Sequence, residues 1–270
     1  MTKKAKVFNS QGIVSGEVEL PWFFDVAVRE DLIRRAVLSD LSSKYQPKGV
    51  YSEAGFQTSA RYRGRKEWYG AIKNRGISRL PREILPNGRF GRVRRVPFAK
   101  GGHRAHPPKI EKKLYERMNK KEYLLALQCA LSACADAKYA LARGHKLTTG
   151  LTLPIVLDSS ISSISKTADV VKLFEKLGLS EDLERSKSGK KRKTGVQRRV
   201  NKKKYPKSAL VLFDSNCPAI RAFSNLPGVD VVDVDSLKVH DVAPGTHPGR
   251  LLLLTQESLQ KLEQRFAKSK

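Results

Sequence analysis

The segments Ala209-Leu-Val-Leu-Phe213 and Leu251-Leu-Leu-Leu-Thr255 decide the fold of this chain of 270 residues. Each is a short apolar run with the length of a buried strand. We predict two more strands at residues 155–157 and 229–234. Strands that are apolar on both faces are typical of parallel sheets covered by helices on both sides. These runs therefore predict an α/β fold.

Helical patterns lie between these strands. An apolar face recurs at helical spacing over residues 167–177, and shorter helical patterns span residues 218–223 and 257–266. The alternation of strand and helix predicts an open, mainly parallel sheet with helices on both faces.

The N-terminal part also has folded patterns, with a period-two strand at residues 16–20 and a helix over 29–41. Further along, Asn119 and Glu122 have the spacing of a capping box at the start of a helix. Asp136 is a candidate N-cap for a second helical piece.

Residues 44–113 break this pattern. They contain 19 Lys and Arg against 4 Asp and Glu, which is about +15 of the formal net charge of +27. A window with no periodic apolar face cannot bury enough apolar surface to offset its ordering entropy. We predict a long extended basic loop, inserted near the N-terminus, that takes its shape from a polyanion. The predicted organisation is a globular domain from residues 1–43, 114–184 and 208–270, the loop at 44–113, and a basic insert at 185–207.

The residue types of the loop favour RNA as the polyanion. Arginines alternate with tyrosine and tryptophan rings that can stack on unpaired bases, and arginine binds phosphate through two parallel hydrogen bonds. A disordered basic loop held by charge alone is the alternative. The residues of the loop that we predict to bind RNA are Arg61, Arg63, Arg65, Lys66, Trp68, Arg75, Arg79, Arg82, Arg89, Arg92, Arg94, Arg95, Lys100, Arg104, His106 and Lys109.

The second basic stretch, residues 185–207, contains about a dozen Lys and Arg and no acidic residue. Its composition predicts contacts with phosphate groups, and a solvated linker is the alternative. The residues of this insert that we predict to contact phosphate groups of RNA are Lys190, Lys191, Arg192, Arg198, Arg199 and Lys203.

The bulk composition limits the class of protein. No apolar run approaches the ~20 residues of a membrane-spanning helix, and the first residues do not resemble a secretory leader. Three cysteines, Cys129, Cys134 and Cys217, are too few for a disulfide framework and fit small core residues. We therefore expect a cytoplasmic protein without a membrane partner.

The motifs of nucleotide enzymes are missing. Ser188-Gly189-Lys190-Lys191 lacks the upstream glycine and the hydroxyl residue of a phosphate-binding loop. Asp158 and Asp214 follow strands, but capping of the next turn explains them as well as chemistry does. His103 and His106 lack the further ligands that a metal site needs. We predict no enzyme activity, no cofactor and no metal.

Five segments together resemble the large-subunit ribosomal protein four family, in its archaeal and eukaryotic branch. They are Leu32–Val37, Ala54–Ala60, Arg94–Lys109, Asn225–Asp230 and Asp241–Arg250. The run Arg104-Ala-His-Pro-Pro-Lys109 and the segment Ala54–Ala60 are highly specific when taken together, and the resemblance spans nearly the whole chain. The ending near Lys270 is similar to the archaeal members.

The resemblance implies an α/β body bound to 23S-type large-subunit rRNA. It also implies a loop that helps to line the nascent-peptide exit tunnel near ribosomal protein twenty-two, with its tip between Gly64 and Arg89. Its partners would then be this rRNA, neighbouring ribosomal proteins and the nascent peptide. Two departures from the family pattern are His103, where arginine is usual, and the stretch 194–201. A free RNA- or DNA-binding regulator and an α/β nucleotide enzyme are the alternative functions.

Overall fold

The computed structural model describes residues 3–148, 150–196, 199, 203–214 and 217–267. The chain divides into two compact units. The first unit, here called the body, comprises the residues up to Lys44 and those from Tyr115 onward. The second, here called the loop unit, is Tyr45–Leu114.

The strands, numbered along the chain, are β1 (Lys4–Phe8), β2 (Val14–Glu19), β3 (Arg82–Ile84), β4 (Phe90–Val93), β5 (Ile155–Leu157), β6 (Lys191–Arg192), β7 (Lys203–Lys204), β8 (Leu210–Phe213), β9 (Asp230–Asp233) and β10 (Leu252–Thr255). The α-helices span Glu30–Ser42, Lys120–Cys134, Ala137–Ala142, Thr167–Lys176, Ser180–Ser188, Ala219–Ser224, Val239–Val242 and Gln256–Ala267. Short 3-10 helices span Trp22–Asp25, Pro86–Gly88, Ser159–Ser163 and Pro244–Thr246.

Six strands form the sheet of the body in the order β2-β1-β5-β10-β8-β9. Only the β1–β2 pair is antiparallel, and every other pair in this sheet is parallel. The two apolar runs that decide the fold lie side by side at the centre, where Leu253 pairs with Val211. The predicted open, mainly parallel sheet is confirmed. The sequence reasoning missed β1.

The sheet has an apolar core on each face, because successive side chains of a strand point in opposite directions. On one face Val156, Leu210 and Leu254 pack with residues of the helices Glu30–Ser42, Lys120–Cys134 and Gln256–Ala267. On the other face Ile155, Val211 and Leu253 pack with residues of the helices Thr167–Lys176 and Ala219–Ser224. Helices on both faces are therefore confirmed.

Two helix caps differ from the prediction. Asn119 and Asp136 are the N-cap residues of Lys120–Cys134 and Ala137–Ala142, but neither side chain makes a capping hydrogen bond. The capping box with Glu122 does not form, and this carboxylate pairs with Arg35 at 3.2 Å. The Asp136 carboxylate accepts a hydrogen bond from Lys3 at 3.2 Å. In both cases a tertiary cation has replaced the local backbone partner.

The loop unit has more local structure than the sequence predicted. β3 and β4 form an antiparallel hairpin, and an isolated bridge pairs Arg61 with Arg82. Ala60, Ala71 and Ile72 are its buried apolar residues. The absence of apolar periodicity hid this structure, because turns and a short hairpin need no continuous apolar face.

Candidate nucleic-acid interface

A short hairpin organises the middle of the loop unit. Arg82 pairs with Val93 across β3 and β4, and Ile84 pairs with Phe90. The Leu85 N–H donates to the carbonyl of Arg89 at 3.0 Å and closes the turn. Asn87 and Gly88 both have positive φ in this turn, at 61° and 71°. The hairpin fixes the backbone of several of the arginines that we predict to bind rRNA.

A second local fold precedes the hairpin. The Ile72 N–H donates to the carbonyl of Arg63 at 3.0 Å, and the Arg63 guanidinium donates to the carbonyl of Tyr69 at 2.8 Å. These two bonds close the segment between them into a compact loop with Ala71 and Ile72 inside. Trp68 and Tyr69 remain on the outside, 49% and 80% exposed. The backbone that carries these exposed rings is therefore fixed by hydrogen bonds within the loop unit.

Arginines in the loop unit lie over aromatic faces at three places. Arg65 lies 5.4 Å from the ring centre of Trp68, Arg75 lies 5.3 Å from that of Phe90, and Arg95 lies 5.7 Å from that of Phe56. Such pairs place a cationic group next to a π-surface, as arginine contacts do in sites that bind unpaired bases. They confer an orientation on side chains that would otherwise be flexible.

Part of the predicted site has a structural role inside the loop unit. The Arg94 guanidinium pairs with Glu83 at 2.8 Å and donates to the carbonyl of Lys100 at 2.9 Å. The Arg82 guanidinium donates to the Ser78 hydroxyl at 2.6 Å. Arg63, Arg82 and Arg94 are half-buried for this reason. A ligand reaches these three side chains less readily than the others.

The return segment of the loop unit contains a tight turn. A Cβ atom at Gly102 would lie 1.9 Å from the carbonyl oxygen of Val96, so that only glycine fits there. The next residue, His103, stacks on Phe56 with ring centres 4.7 Å apart. Its Nδ1 atom makes a short contact with the carbonyl of Arg95. The histidine at this family departure thus joins the two sides of the loop unit.

Most of the predicted residues are exposed to solvent. The exposed residues are Arg61, Arg65, Lys66, Trp68, Arg75, Arg79, Arg89, Arg92, Arg95, Lys100, Arg104, His106, Lys109, Lys190, Lys191, Arg192, Arg199 and Lys203. Arg198 lies outside the described residues. Exposure leaves these cationic groups accessible to a polyanion without the cost of exposing a core.

Two short strands pair with each other in the basic insert. β6 and β7 form an antiparallel pair in which Lys191 faces Lys204 and Arg192 faces Lys203. The Lys190 ammonium group lies 5.9 Å from the ring centre of Tyr205. Like charges on adjacent strands repel each other, which favours an anion close to this pair. The helix Ser180–Ser188, which the sequence reasoning missed, leads directly into it.

A buried polar cluster holds both ends of this insert. The fully buried Asp182 carboxylate accepts hydrogen bonds from Arg185 at 2.9 Å and from Ser208 at 2.6 Å, and contacts His145 at 3.1 Å. Arg185 also donates to the carbonyl of Lys207 at 2.9 Å. Ser186 donates to the carbonyl of Pro206 at 2.8 Å. The helix before the insert and the strand after it are therefore joined.

The cluster shifts two pKa values. Burial alone would raise the pKa of Asp182, but the bonds from His145, Arg185 and Ser208 outweigh it and hold this pKa well below its usual range. Burial lowers the pKa of His145, and the opposing hydrogen bond from Asp182 does not offset it. Asp182 is therefore an anion and His145 is neutral near pH 7.

The candidate catalytic residues have structural partners. Asp158 accepts hydrogen bonds from the Ser159 N–H and the Ser160 hydroxyl, which is the capping role weighed above. Asp214 pairs with Lys261 at 2.8 Å. Ser208, His145 and Asp182 lie together, but the serine donates to the carboxylate and not to the imidazole, so that no base activates it.

The cysteines and metal-ligand types complete the survey. Cys129 and Cys134 are buried, as predicted, whereas Cys217 is only half-buried, and burial raises the pKa of Cys134 to about 12. Within the described residues, no group of three or more His, Cys, Asp and Glu could hold a metal ion. No helix in the described part of the chain is long and apolar enough to cross a bilayer.

The chain is similar to known proteins along nearly its whole length. Residues 18–265 match the model of the ribosomal protein L4/L1 family. The chain is 44% identical over 262 residues to the large ribosomal subunit protein uL4 of Methanococcus maripaludis (strain C6), covering 97% of this chain and 99% of that protein. It is 42% identical over 269 residues to the protein of the same name from Pyrobaculum aerophilum, covering 98% and 90%. The Methanococcoides burtonii protein of that name is 40% identical over 263 residues, covering 97% and 98%.

Proposed function

Because the chain belongs to the ribosomal protein L4/L1 family, we propose that it is a structural constituent of the large ribosomal subunit and binds the large-subunit rRNA. A role as a scaffold component agrees with the structural partners of the candidate catalytic residues. The ribosome also supplies the cytoplasmic location that we expect. The membership of a ribosomal family argues against the nucleotide enzyme.

The observation that carries the rRNA-binding proposal is the loop unit. It has 18 Lys and Arg against 4 Asp and Glu, and its aromatic rings lie beside exposed arginines. Phosphate contacts position a protein on RNA, and stacked rings bind unpaired bases. The exposed members of the predicted set are proposed to make both kinds of contact.

We assign the finer role of the loop unit from the resemblance. Residues 64–89 would form the tip that helps to line the nascent-peptide exit tunnel, close to ribosomal protein twenty-two. The local folds around Arg63–Ile72 and β3–β4 would then present this tip. The insert at Lys190–Lys203 would contact rRNA at a separate place through the paired strands β6 and β7.

Sedimentation tests the proposal against the free regulator. We expect a tagged full-length chain to migrate with large subunits in a sucrose gradient and to stay with them through a high-salt wash. A variant in which Arg65, Arg75, Arg89 and Arg92 are all replaced by glutamine should fail to stay bound through the same wash. Recovery of the unmodified chain only in the soluble fraction would contradict the proposal.

Crosslinking tests the assignment of the loop unit. Photoreactive groups placed at Trp68 and at Tyr69 should crosslink to rRNA within assembled subunits. A group at Trp22, an exposed ring of the body, serves as the matched control. Crosslinks that form from position 22 but not from the loop unit would contradict the assigned role.

A further inference from the structure

The body contains a cationic cleft where the two ends of the basic insert meet other segments of the chain. Its volume is about 430 Å³, and its lining includes Arg143, Arg185, Lys207, His247 and the carboxylate of Glu30. Clefts of this size accommodate small polar ligands. Neither Arg143 nor Lys207 belongs to the residues that the sequence predicted to bind rRNA.

The fold brings Arg143 into this cleft by a close approach of two segments. A Cβ atom at Gly249, where φ is +89°, would lie 2.4 Å from the carbonyl carbon of Tyr139, so that the segment 247–250 packs directly against the helix Ala137–Ala142. Arg143 follows this helix and donates hydrogen bonds to the carbonyls of His247 and, at 2.7 Å, of Pro244. The guanidinium group is thereby fixed in place.

The Arg143 guanidinium has carbonyl partners but no ionic one. Among the described residues, no carboxylate is one of the charged neighbours that shift its pKa, although Glu30 lines the same cleft. Partial burial and the nearby Arg250 and Arg185 guanidinium groups lower the pKa of Arg143 to about 10. A guanidinium group has five N–H donors, and the two carbonyls leave further donors for another acceptor.

The neighbouring cations are incompletely neutralised. Arg250 and Lys207 share one carboxylate, that of Asp230, at 2.7 and 2.6 Å. Arg185 pairs with Asp182 at 2.9 Å. Together with Glu30, three carboxylates therefore stand against the four cations Arg143, Arg185, Lys207 and Arg250, so that one positive charge is in excess. Such a site favours an anion.

We propose that this cleft, here called the Arg143 cleft, binds a backbone phosphate of the large-subunit rRNA between Arg143 and Lys207. The proposal rests on the proposed function and assigns to it a phosphate site in the body. Lys207 also lies at the end of the basic insert, three residues after β7 (Lys203–Lys204). An RNA strand that leaves the Arg143 cleft therefore meets the cations of the insert next. Because a free phosphate ion has the same chemistry, the experiment must separate the two sources.

The test measures binding of the full chain to large-subunit rRNA over a series of salt concentrations. Arg143→Gln and Lys207→Gln should each weaken binding about tenfold, since each removes a charge-assisted hydrogen bond. Each should also reduce the slope of log K against log salt by about 1, as expected for one lost phosphate contact. Glu30→Gln should strengthen binding, because it removes the one carboxylate of the cleft that pairs with no cation of the described residues.

Arg221→Gln is the matched control. Arg221 is exposed on the body, and it does not line the Arg143 cleft. If Arg143→Gln loses its fold, Lys207→Gln and Glu30→Gln still decide the question, because neither removes the bonds of Arg143 to His247 and Pro244. Thermal unfolding without RNA identifies such a loss. Binding by the Arg143 and Lys207 variants that equals that of Arg221→Gln would overturn the proposal.

Inorganic phosphate distinguishes the two sources of the anion. We expect that phosphate competes with rRNA only weakly and does not change the thermal unfolding of the unmodified chain beyond a chloride control of equal ionic strength. Stabilisation by phosphate, without any effect of the variants on rRNA binding, would assign the cleft to a free ion and overturn the proposal. Failure of the unmodified chain to bind rRNA at all would instead contradict the proposed function.

Discussion

The body and the loop unit differ in their charge and in how much apolar surface they bury. The loop unit carries 18 Lys and Arg against 4 Asp and Glu in 70 residues, whereas the remaining 200 residues carry 35 against 22. Both faces of the body's sheet are covered by apolar cores, but the loop unit buries only Ala60, Ala71 and Ile72. The body is therefore stabilised by burial of apolar side chains, whereas the loop unit is held by hydrogen bonds and ring contacts. The contrast predicts where a substitution affects stability and where it affects binding.

The largest expected effect on stability comes from a core aromatic residue. Phe174 is fully buried with its ring centre 6.0 Å from that of Phe223. Phe174→Ala should lower the free energy of unfolding by about 3–5 kcal/mol, because it removes apolar contact and leaves a cavity. Phe98→Ala in the loop unit, where the ring is 75% exposed, should change it by less than about 0.5 kcal/mol. Equal losses in urea unfolding would remove the contrast.

A smaller effect should follow from the buried polar cluster. Asp182→Asn keeps the shape but removes the charge that Arg185 and Ser208 require, so that unfolding should become easier by about 1–3 kcal/mol. Glu184→Gln changes an exposed residue of the same helix and is the control. An unchanged midpoint in urea for Asp182→Asn would show that the cluster does not hold the insert.

The same cluster should give a weaker dependence on pH. Asp182 faces His145 from one side, and Arg185 and Arg143 contribute positive charge. The pKa of His145 is lowered in the folded chain, so the unfolded chain binds this proton more readily. The free energy of unfolding should therefore decrease as the pH falls below the unfolded value of about 6.5. His145→Gln should flatten the curve between pH 7 and pH 5, and an unchanged slope would contradict this explanation.

The smallest effect on stability is expected from the largest change. Deletion of Gly64–Arg89 removes the proposed tip but no residue of the two cores of the body. The thermal unfolding of the body should therefore stay within about 0.5 kcal/mol of the intact chain. Binding to rRNA should weaken and depend less steeply on salt, because each lost phosphate contact lowers the slope. A collapsed unfolding transition would show that the two regions are not independent.

The sequence predicted those parts of the structure that local patterns determine. β8 and β10 are continuous apolar runs and were found within one residue of their predicted start. The helix Ser180–Ser188 was missed because two of its buried residues, Asp182 and Ser186, are polar and give no apolar period. Its burial depends on partners at His145, Pro206 and Ser208, which lie far away along the chain.

The residues of the candidate site likewise differ in whether the local sequence is enough to identify them. Exposed arginines and aromatic rings of the loop unit could be identified from composition, since no partner is needed to recognise them. The Arg143 cleft could not, because Arg143, Arg185 and Lys207 come from three separate segments and Arg143 reaches its position through Gly249. Likewise, the internal role of Arg94 depends on Glu83, which the hairpin register brings opposite. Only the fold reveals which cationic side chains already have bonding partners within the protein.

The ends of the loop unit have a consequence for how such a protein varies among lineages. On the body, the Ser39 hydroxyl donates to the carbonyl of Glu116 at 2.6 Å, and the Glu116 N–H donates to the Ser42 hydroxyl at 3.0 Å. These hydrogen bonds join the segment where the chain leaves the body to the segment where it returns, whatever the sequence between them. The entropy of closing a flexible segment grows only with the logarithm of its length, at about 0.6 kcal/mol for each doubling. Insertions and deletions in the intervening seventy or so residues should therefore change the free energy of folding only slightly, so that their length can follow the demands of a binding partner rather than those of the body.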